Sequence, residues 1–353
     1  MLNPEIVAAK LEACPQLDAA DWGAERAWAR ATPSVACGAS PHRPSSTTGL
    51  DRSLPAICEA GVLGLAQSWD FPSLHARSLQ ALMPGFLLQL AATDNDGGAI
   101  RVSCGAFVDY HHAQRQEGAD DQPLCVFDRD ALVPESSAVA AALCSFYTVP
   151  DVLEFRHSPL DSLPPDLRPA VRYLLLGPER SGTFIHQDPD LTATWNVVTE
   201  GRKRWAMLDP SVPEALARRE SPPEGCDWSI QEWFEREWPS IRDDAAAAGH
   251  RAYDFEHAAT ELVYVPAGWW HAVLNLEASV AITHNVLQRG TLERVLREGA
   301  AAGEDPVESV VDALKLGEDP LEDDTRRGIG RWLEQVRCGA RPGGADCSTV
   351  SNG

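Results

Sequence analysis

Among its nine cysteines the 353-residue chain has no C-x-x-C pair, nor does any apolar run reach the roughly 18 residues of a membrane span. The cysteines are scattered and odd in number, which argues against a disulfide framework and a structural thiolate zinc site and fits a reducing compartment. Basic residues are in deficit: 30 Lys and Arg face 52 Asp and Glu, for a net charge of −22. That field repels a phosphate backbone, so direct nucleic-acid binding is not expected, and without a long apolar run no membrane partner is expected either. It would draw in a basic peptide, or serve solubility alone. The opening residues carry acidic groups and no long apolar stretch, unlike a secretory signal. An intracellular protein, nuclear or cytoplasmic, is expected.

Composition shifts divide the chain. Residues 1–50 hold a short helical stretch and then a Ser-, Thr-, Pro- and Gly-rich segment expected to be flexible. Residues 51–290 are apolar with regular turn signals, and from 171 onward short β-type runs dominate: VRYLLLG, TFIHQD, TWNVV, RWAMLD, ELVYVP, HAVLNL and SVAITHNV. T-E-G-R at 199–202 predicts a hairpin turn between TWNVV and RWAMLD. So many short strands predict a barrel or sandwich with flanking helices. An insertion at about 211–256 reads as a helix to Trp238, broken by Pro239; its Trp228, Trp233 and Trp238 either pack on the barrel or shape substrate choice. Residues 291–340 are acidic and helical, with G-E-D-P at 303 and 317 as two N-cap and first-turn signals, and 341–353 look disordered.

In GTFIHQDPD (182–190), His186 and Asp188 stand two apart on a strand, so both side chains leave the same face. His271 follows a Pro-Gly turn in VPAGWWHAVLNL, at the start of another strand. Two imidazoles and one carboxylate from two strands can occupy one face of a metal octahedron and leave three positions open, as in non-haem Fe(II) oxygenases. Two open positions would suit the 1-carboxylate and keto oxygen of 2-oxoglutarate and one would suit O₂. The far carboxylate then needs a cation. Lys203 shares a strand face with Trp205 and Met207, an apolar face that makes a paired, inward ammonium the expectation; the alternative has Lys203 in solvent with Arg202 and Arg204 in a frayed hairpin. Thr183 could add a hydroxyl donor, and Asn196 and Asn285 could hold the metal-side carboxylate or be structural.

The motifs GPERSGTFIHQDPD, WN, GRKRW and VPAGWWH, with DNDGGAIRVSCGAFVDYHH and QPLCVFD upstream, resemble the Jumonji-C oxygenases, in particular the branch of the arginine demethylase and lysyl hydroxylase once called the phosphatidylserine receptor. The likeness runs from about 54 to 290. It implies a mainly β domain with helices, a double-stranded β-helix of the jelly-roll or cupin type. It also implies an Fe(II)- and 2-oxoglutarate-dependent dioxygenase, supported by ascorbate, that hydroxylates a lysyl side chain or demethylates an arginine. The alternatives are a metal-binding cupin-like protein without turnover, or a hydroxylase of another residue or of a small molecule. By resemblance His186, Asp188 and His271 are iron ligands and catalytic, Thr183 and Lys203 bind the 5-carboxylate, and Asn196, Thr283 and Asn285 line the co-substrate and substrate pocket. Tyr173 stands where the branch has a Trp near the substrate. Cys125 replaces a Tyr whose hydroxyl helps bind 2-oxoglutarate, a loss of about 1–2 kcal/mol. A Lys- or Arg-rich protein or peptide is the expected partner, and the C-terminal helices are expected to offer a homodimer contact.

Overall fold

In a computed structural model, the structure describes residues 4–12, 39–45, 51–149, 171–314 and 323–337, apart from 52, 60, 62–64, 94–97, 115–119, 121, 189–191, 220–228 and 288. Most of the Ser- and Pro-rich N-terminal segment, Trp228, the second G-E-D-P and the tail from 341 lie outside the described residues.

The runs rich in β-branched and aromatic residues form strands. In chain order these are β1 (Ala56–Glu59), β2 (Leu87–Thr93), β3 (Ala99–Ser103), β4 (Val126–Asp128), β5 (Arg172–Gly177), β6 (Gly182–His186), β7 (Thr192–Glu200), β8 (Arg202–Leu208), β9 (Ala252–Ala258), β10 (Glu261–Val265), β11 (Trp270–Asn275) and β12 (Ser279–Leu287). An eight-stranded sheet runs β1-β10-β7-β12-β5-β4-β2-β3, and a four-stranded sheet runs β6-β11-β8-β9. All the paired strands are antiparallel. From β5 to β12 the chain winds back and forth between the two sheets, which is the expected cupin-like, mainly β architecture with helices.

The hairpin expected at 199–202 does not form. Gly201 does turn the chain, with φ at 81°, but β7 pairs with β10 and β12 whereas β8 pairs with β9 and β11. The physical reason is burial on both faces. Thr192 to Thr199 are buried without interruption, which requires strands on each side of β7 and cover above and below. A side chain at Gly201 would run into the backbone of Ala278 and Ser279, so the corner between the sheets needs glycine twice over, for its φ and for its lack of bulk.

β8 is buried on both faces too, and the solvent-facing alternative for Lys203 fails on that ground. Trp205 and Met207 point toward the space between the sheets, while Ala206 and Leu208 pack outward against Trp233, Phe234 and Trp238 of the insertion. Those two tryptophans therefore serve packing. The insertion's first helix, Ile230–Arg236, begins with a capping box of Ser229 and Glu232. It ends at Arg236, two residues before the expected Trp238, because Trp238–Ala247 forms a separate helix with Pro239 in its first turn. Arg204, on the outward face of β8, makes a two-pronged ion pair with the fully buried Asp254 at 2.8 Å on both oxygens, and Trp238 Nε1 donates to the same carboxylate at 2.9 Å. Asp254→Ala strands the guanidinium and the indole N–H beneath the insertion. It should lower unfolding free energy in urea by about 3 kcal/mol, and a change under 1 kcal/mol would refute that role.

C-terminal helices follow β12 at Arg289–Ala302, Pro306–Leu314 and Asp323–Arg337, around a small core of Leu287, Leu292, Val310, Ile329 and Trp332. The first G-E-D-P behaves as expected: the Asp305 carboxylate accepts from Val307 N at 2.9 Å and Pro306 opens the helix. Among the described residues no helix is long and apolar enough to cross a membrane.

Candidate metal centre and its cavity

The pairing register sets the first contact of the site. His186, the last residue of β6, is the direct cross-strand partner of His271 on β11, and the imidazole centroids stand 4.2 Å apart. A register shift follows between His271 and Val273, so both Thr183 and His186 reach the cavity although they are three residues apart. Asp188 lies just beyond the strand, its Oδ1 4.0 Å from His186 Nε2. Gln187, between them, donates to the Gly268 carbonyl at 2.5 Å and so ties the end of β6 to the turn that delivers His271.

One ligand atom each from His186, Asp188 and His271 can be chosen so that all three lie within 4.8 Å of one another. The imidazoles are already oriented. His186 Nδ1 contacts the Phe184 carbonyl at 2.8 Å and His271 Nδ1 the Trp269 carbonyl at 3.2 Å. A carbonyl only accepts, so Nδ1 carries a proton in each ring and Nε2 is the nitrogen left to meet a metal. Burial, and the neighbouring His186, hold His271 well below its ordinary pKa; it is a neutral donor at physiological pH. Burial also pushes the Asp188 carboxyl up, against the pull of His186 and a hydrogen bond from Asn285. Two imidazole nitrogens and one desolvated carboxylate are a donor set that suits a divalent metal.

The cavity lies between the sheets. His271, Val273 and Asn275 alternate along its β11 wall opposite Met207, Trp205 and Lys203 of β8, a wall about 13 Å long at strand rise. Its far end holds the Lys203 ammonium, 4% exposed, hydrogen-bonded at 2.8 Å to Asn275 Oδ1. No carboxylate among the described residues pairs with it. Desolvation accordingly pushes its pKa down to about 8. On the β7 and β12 wall, Asn196 Oδ1 is buried with no hydrogen-bond partner, while Thr283 donates to the Trp195 carbonyl at 2.8 Å and Asn285 accepts from Thr194 at 3.1 Å.

Of the residues singled out in the sequence, His186, Asp188, His271, Thr183, Asn196, Lys203, Thr283, Asn285 and Cys125 all line this one cavity. Tyr173 packs beside it, its ring tilted at 43° against Phe127 with centroids 4.4 Å apart and Asp188 nearby. Cys125 sits beside Lys203, Ser181 and the Gly182 amide, yet burial still pushes its thiol up, so it is a neutral wall residue. The sequence reading missed Ser181, Gln187 and Asn275. Asn275 was findable, since it shares the alternation of His271 and Val273 and so faces inward by the rule that placed Lys203.

Residues 173–286 match the family described as JmjC domain, hydroxylase. The chain is 31% identical over 233 residues to the lysine-specific demethylase JMJ21 of Arabidopsis thaliana, covering 64% of this chain and 23% of that protein. It is 30% identical over 201 residues to the bifunctional arginine demethylase and lysyl-hydroxylase psr-1 of Caenorhabditis elegans, covering 54% and 46%. Over 121 residues it is 29% identical to the 2-oxoglutarate and iron-dependent oxygenase JMJD4 of Homo sapiens, covering 32% and 26%. It thus spans less than half the length of these curated relatives. The two-sheet architecture and the His-Asp-His cluster between its strands agree with that match: over residues 173–286 the chain is similar to a JmjC domain.

Proposed function

We propose that the chain is an Fe(II)- and 2-oxoglutarate-dependent dioxygenase that acts on a protein side chain. The observation that carries this reading is a cavity with three convergent metal donors at one end and, at the other, a buried ammonium that no carboxylate among the described residues pairs. Fe(II) held there would, with 2-oxoglutarate and O₂ as co-substrates, supply the oxidant for C–H hydroxylation, with CO₂ and succinate as co-products.

The chain's own residues then have separable tasks. His186 and His271 give Nε2 and Asp188 gives an oxygen to the metal. Lys203, with the Thr183 hydroxyl, takes the far carboxylate and so fixes how deeply the co-substrate enters. Asn196 has a buried acceptor that a bound group or its water can satisfy, and Thr283 and Asn285 border the same metal-proximal wall. The barrel walls exclude water, while His186, 36% exposed at its side chain, marks the side from which a substrate reaches the metal. Hydroxyl placed on a lysyl carbon would persist. Placed on an N-methyl group it would collapse to formaldehyde and the free amine, so one site could serve either outcome. The names of the relatives and the net charge of −22 favour a Lys- or Arg-rich peptide as substrate.

Purified protein with Fe(II), ascorbate and 2-oxoglutarate should form succinate, and a panel of Lys-rich and methyl-Arg peptides should raise the rate. Mass gain of one oxygen would mark hydroxylation and formaldehyde would mark demethylation. Metal binding without succinate, with or without the panel, would favour a binding protein instead.

A further inference from the structure

We infer that Asn275 is a positioning residue for the co-substrate: its side-chain oxygen aims the Lys203 ammonium into the cavity while supplying no negative charge that an entering carboxylate would have to displace. The inference rests on the proposed pairing of Lys203 with the distal carboxylate of 2-oxoglutarate.

Asn275 and Lys203 are direct cross-strand partners of β11 and β8, on the face that also carries His271. The amide is fixed on every side. Its Oδ1 accepts from Lys203 Nζ at 2.8 Å and from Ser279 Oγ at 2.7 Å, and its Nδ2 donates to Ser181 Oγ at 2.9 Å. Two donors on one atom and an acceptor opposite the other settle which end of the amide is oxygen. Ser181 is held in turn by the Pro178 carbonyl at 2.5 Å, and the backbone of Asn275 pairs with Ser181 O and Arg180 N. Gly177 leaves room for this arrangement, because a Cβ there would collide with Asn275 Nδ2 and Ser181 Oγ.

A buried lysine is ordinarily stabilised by a carboxylate. Here the protein provides a neutral acceptor, which satisfies one ammonium hydrogen and leaves two for a ligand. Lys203 is therefore oriented but not neutralised. An Asp at 275 would fit the same space and invert the electrostatics, occupying the ammonium permanently. A purely structural Asn275 would tolerate that exchange, whereas a positioning Asn275 would not.

The test measures 2-oxoglutarate affinity by calorimetry on the full chain loaded with Mn(II), beside thermal melts, for wild type, Asn275→Asp, Asn275→Ala and Lys203→Met. Asn275→Asp should melt at or above the wild-type temperature and yet bind 2-oxoglutarate about 100-fold more weakly. Asn275→Ala should lose about 10-fold, with KM for 2-oxoglutarate raised far more than kcat is lowered. If Lys203→Met weakens binding while both Asn275 variants bind like wild type, the inference is overturned and the Lys203 reading stands. If Lys203→Met binds like wild type, the Lys203 reading itself falls, and the inference with it. Should Asn275→Ala fail to fold, Asn275→Asp alone decides, since only a structural role predicts wild-type affinity for it.

Discussion

Asp188→Ala is expected to fold, to bind Mn(II) at least about 100-fold more weakly than wild type, and to form no succinate above background. Folding should survive because Asp188 lies past the end of β6, outside the packed clusters, with Asn285 as a side-chain hydrogen-bond partner. The metal affinity should collapse because Asp188 is the only anionic member of the cluster. Two imidazoles remain, and a dication then has no carboxylate of the cluster to balance it in a desolvated site. Removing the carboxylate also relieves the penalty that burial places on it, so the melting temperature of the metal-free protein should hold or rise slightly. The measurement is a Mn(II) titration on wild type and variant beside their melts. Wild-type metal affinity in the variant would remove Asp188 from the site, and with it the proposed dioxygenase.

Much of this site could be read from the sequence because β-structure has a period of two. His186, Lys203 and His271 each declared a face through their neighbours, and Thr183, Asn196, Thr283 and Asn285 reached the cavity as the family resemblance implied. Periodicity says nothing about which strand lies beside which, however. T-E-G-R was correctly read as a turn, yet the strands it joins belong to different sheets, a fact set by long-range burial rather than by the turn. Register was likewise invisible. That His186 and His271 would be direct partners, and Lys203 and Asn275 likewise, follows from pairings between β6, β11 and β8 that are dozens of residues apart in sequence. Tyr173, which the resemblance places near the substrate, packs its ring at 4.4 Å on Phe127, itself a cavity residue, with Asp188 nearby.

Lys203→Met should separate stability from function by moving them in opposite directions. The ammonium is buried with no paired carboxylate among the described residues, and burial pushes its pKa down to about 8 from an ordinary 10.5. Between those values the unfolded chain holds a proton that the folded protein has released, so stability rises with pH across pH 8 to 10.5. Below pH 8 the folded protein carries the full cost of the buried charge. A methionine of similar length removes that cost, so the variant should melt higher than wild type at pH 7 and lose the rise in stability above pH 8. Binding of 2-oxoglutarate should fall by about 4 kcal/mol, roughly 1000-fold, because the far carboxylate would enter a buried space with no cation to meet it. The same linkage predicts a pH signature in wild type. A bound carboxylate raises the lysine pKa, so binding above pH 8 takes up a proton and affinity falls by up to about tenfold per pH unit. In Lys203→Met that slope should vanish. Calorimetry at pH 7, 8 and 9 on both proteins checks each element, and an affinity that declines equally in the two would assign the titration to a group other than Lys203.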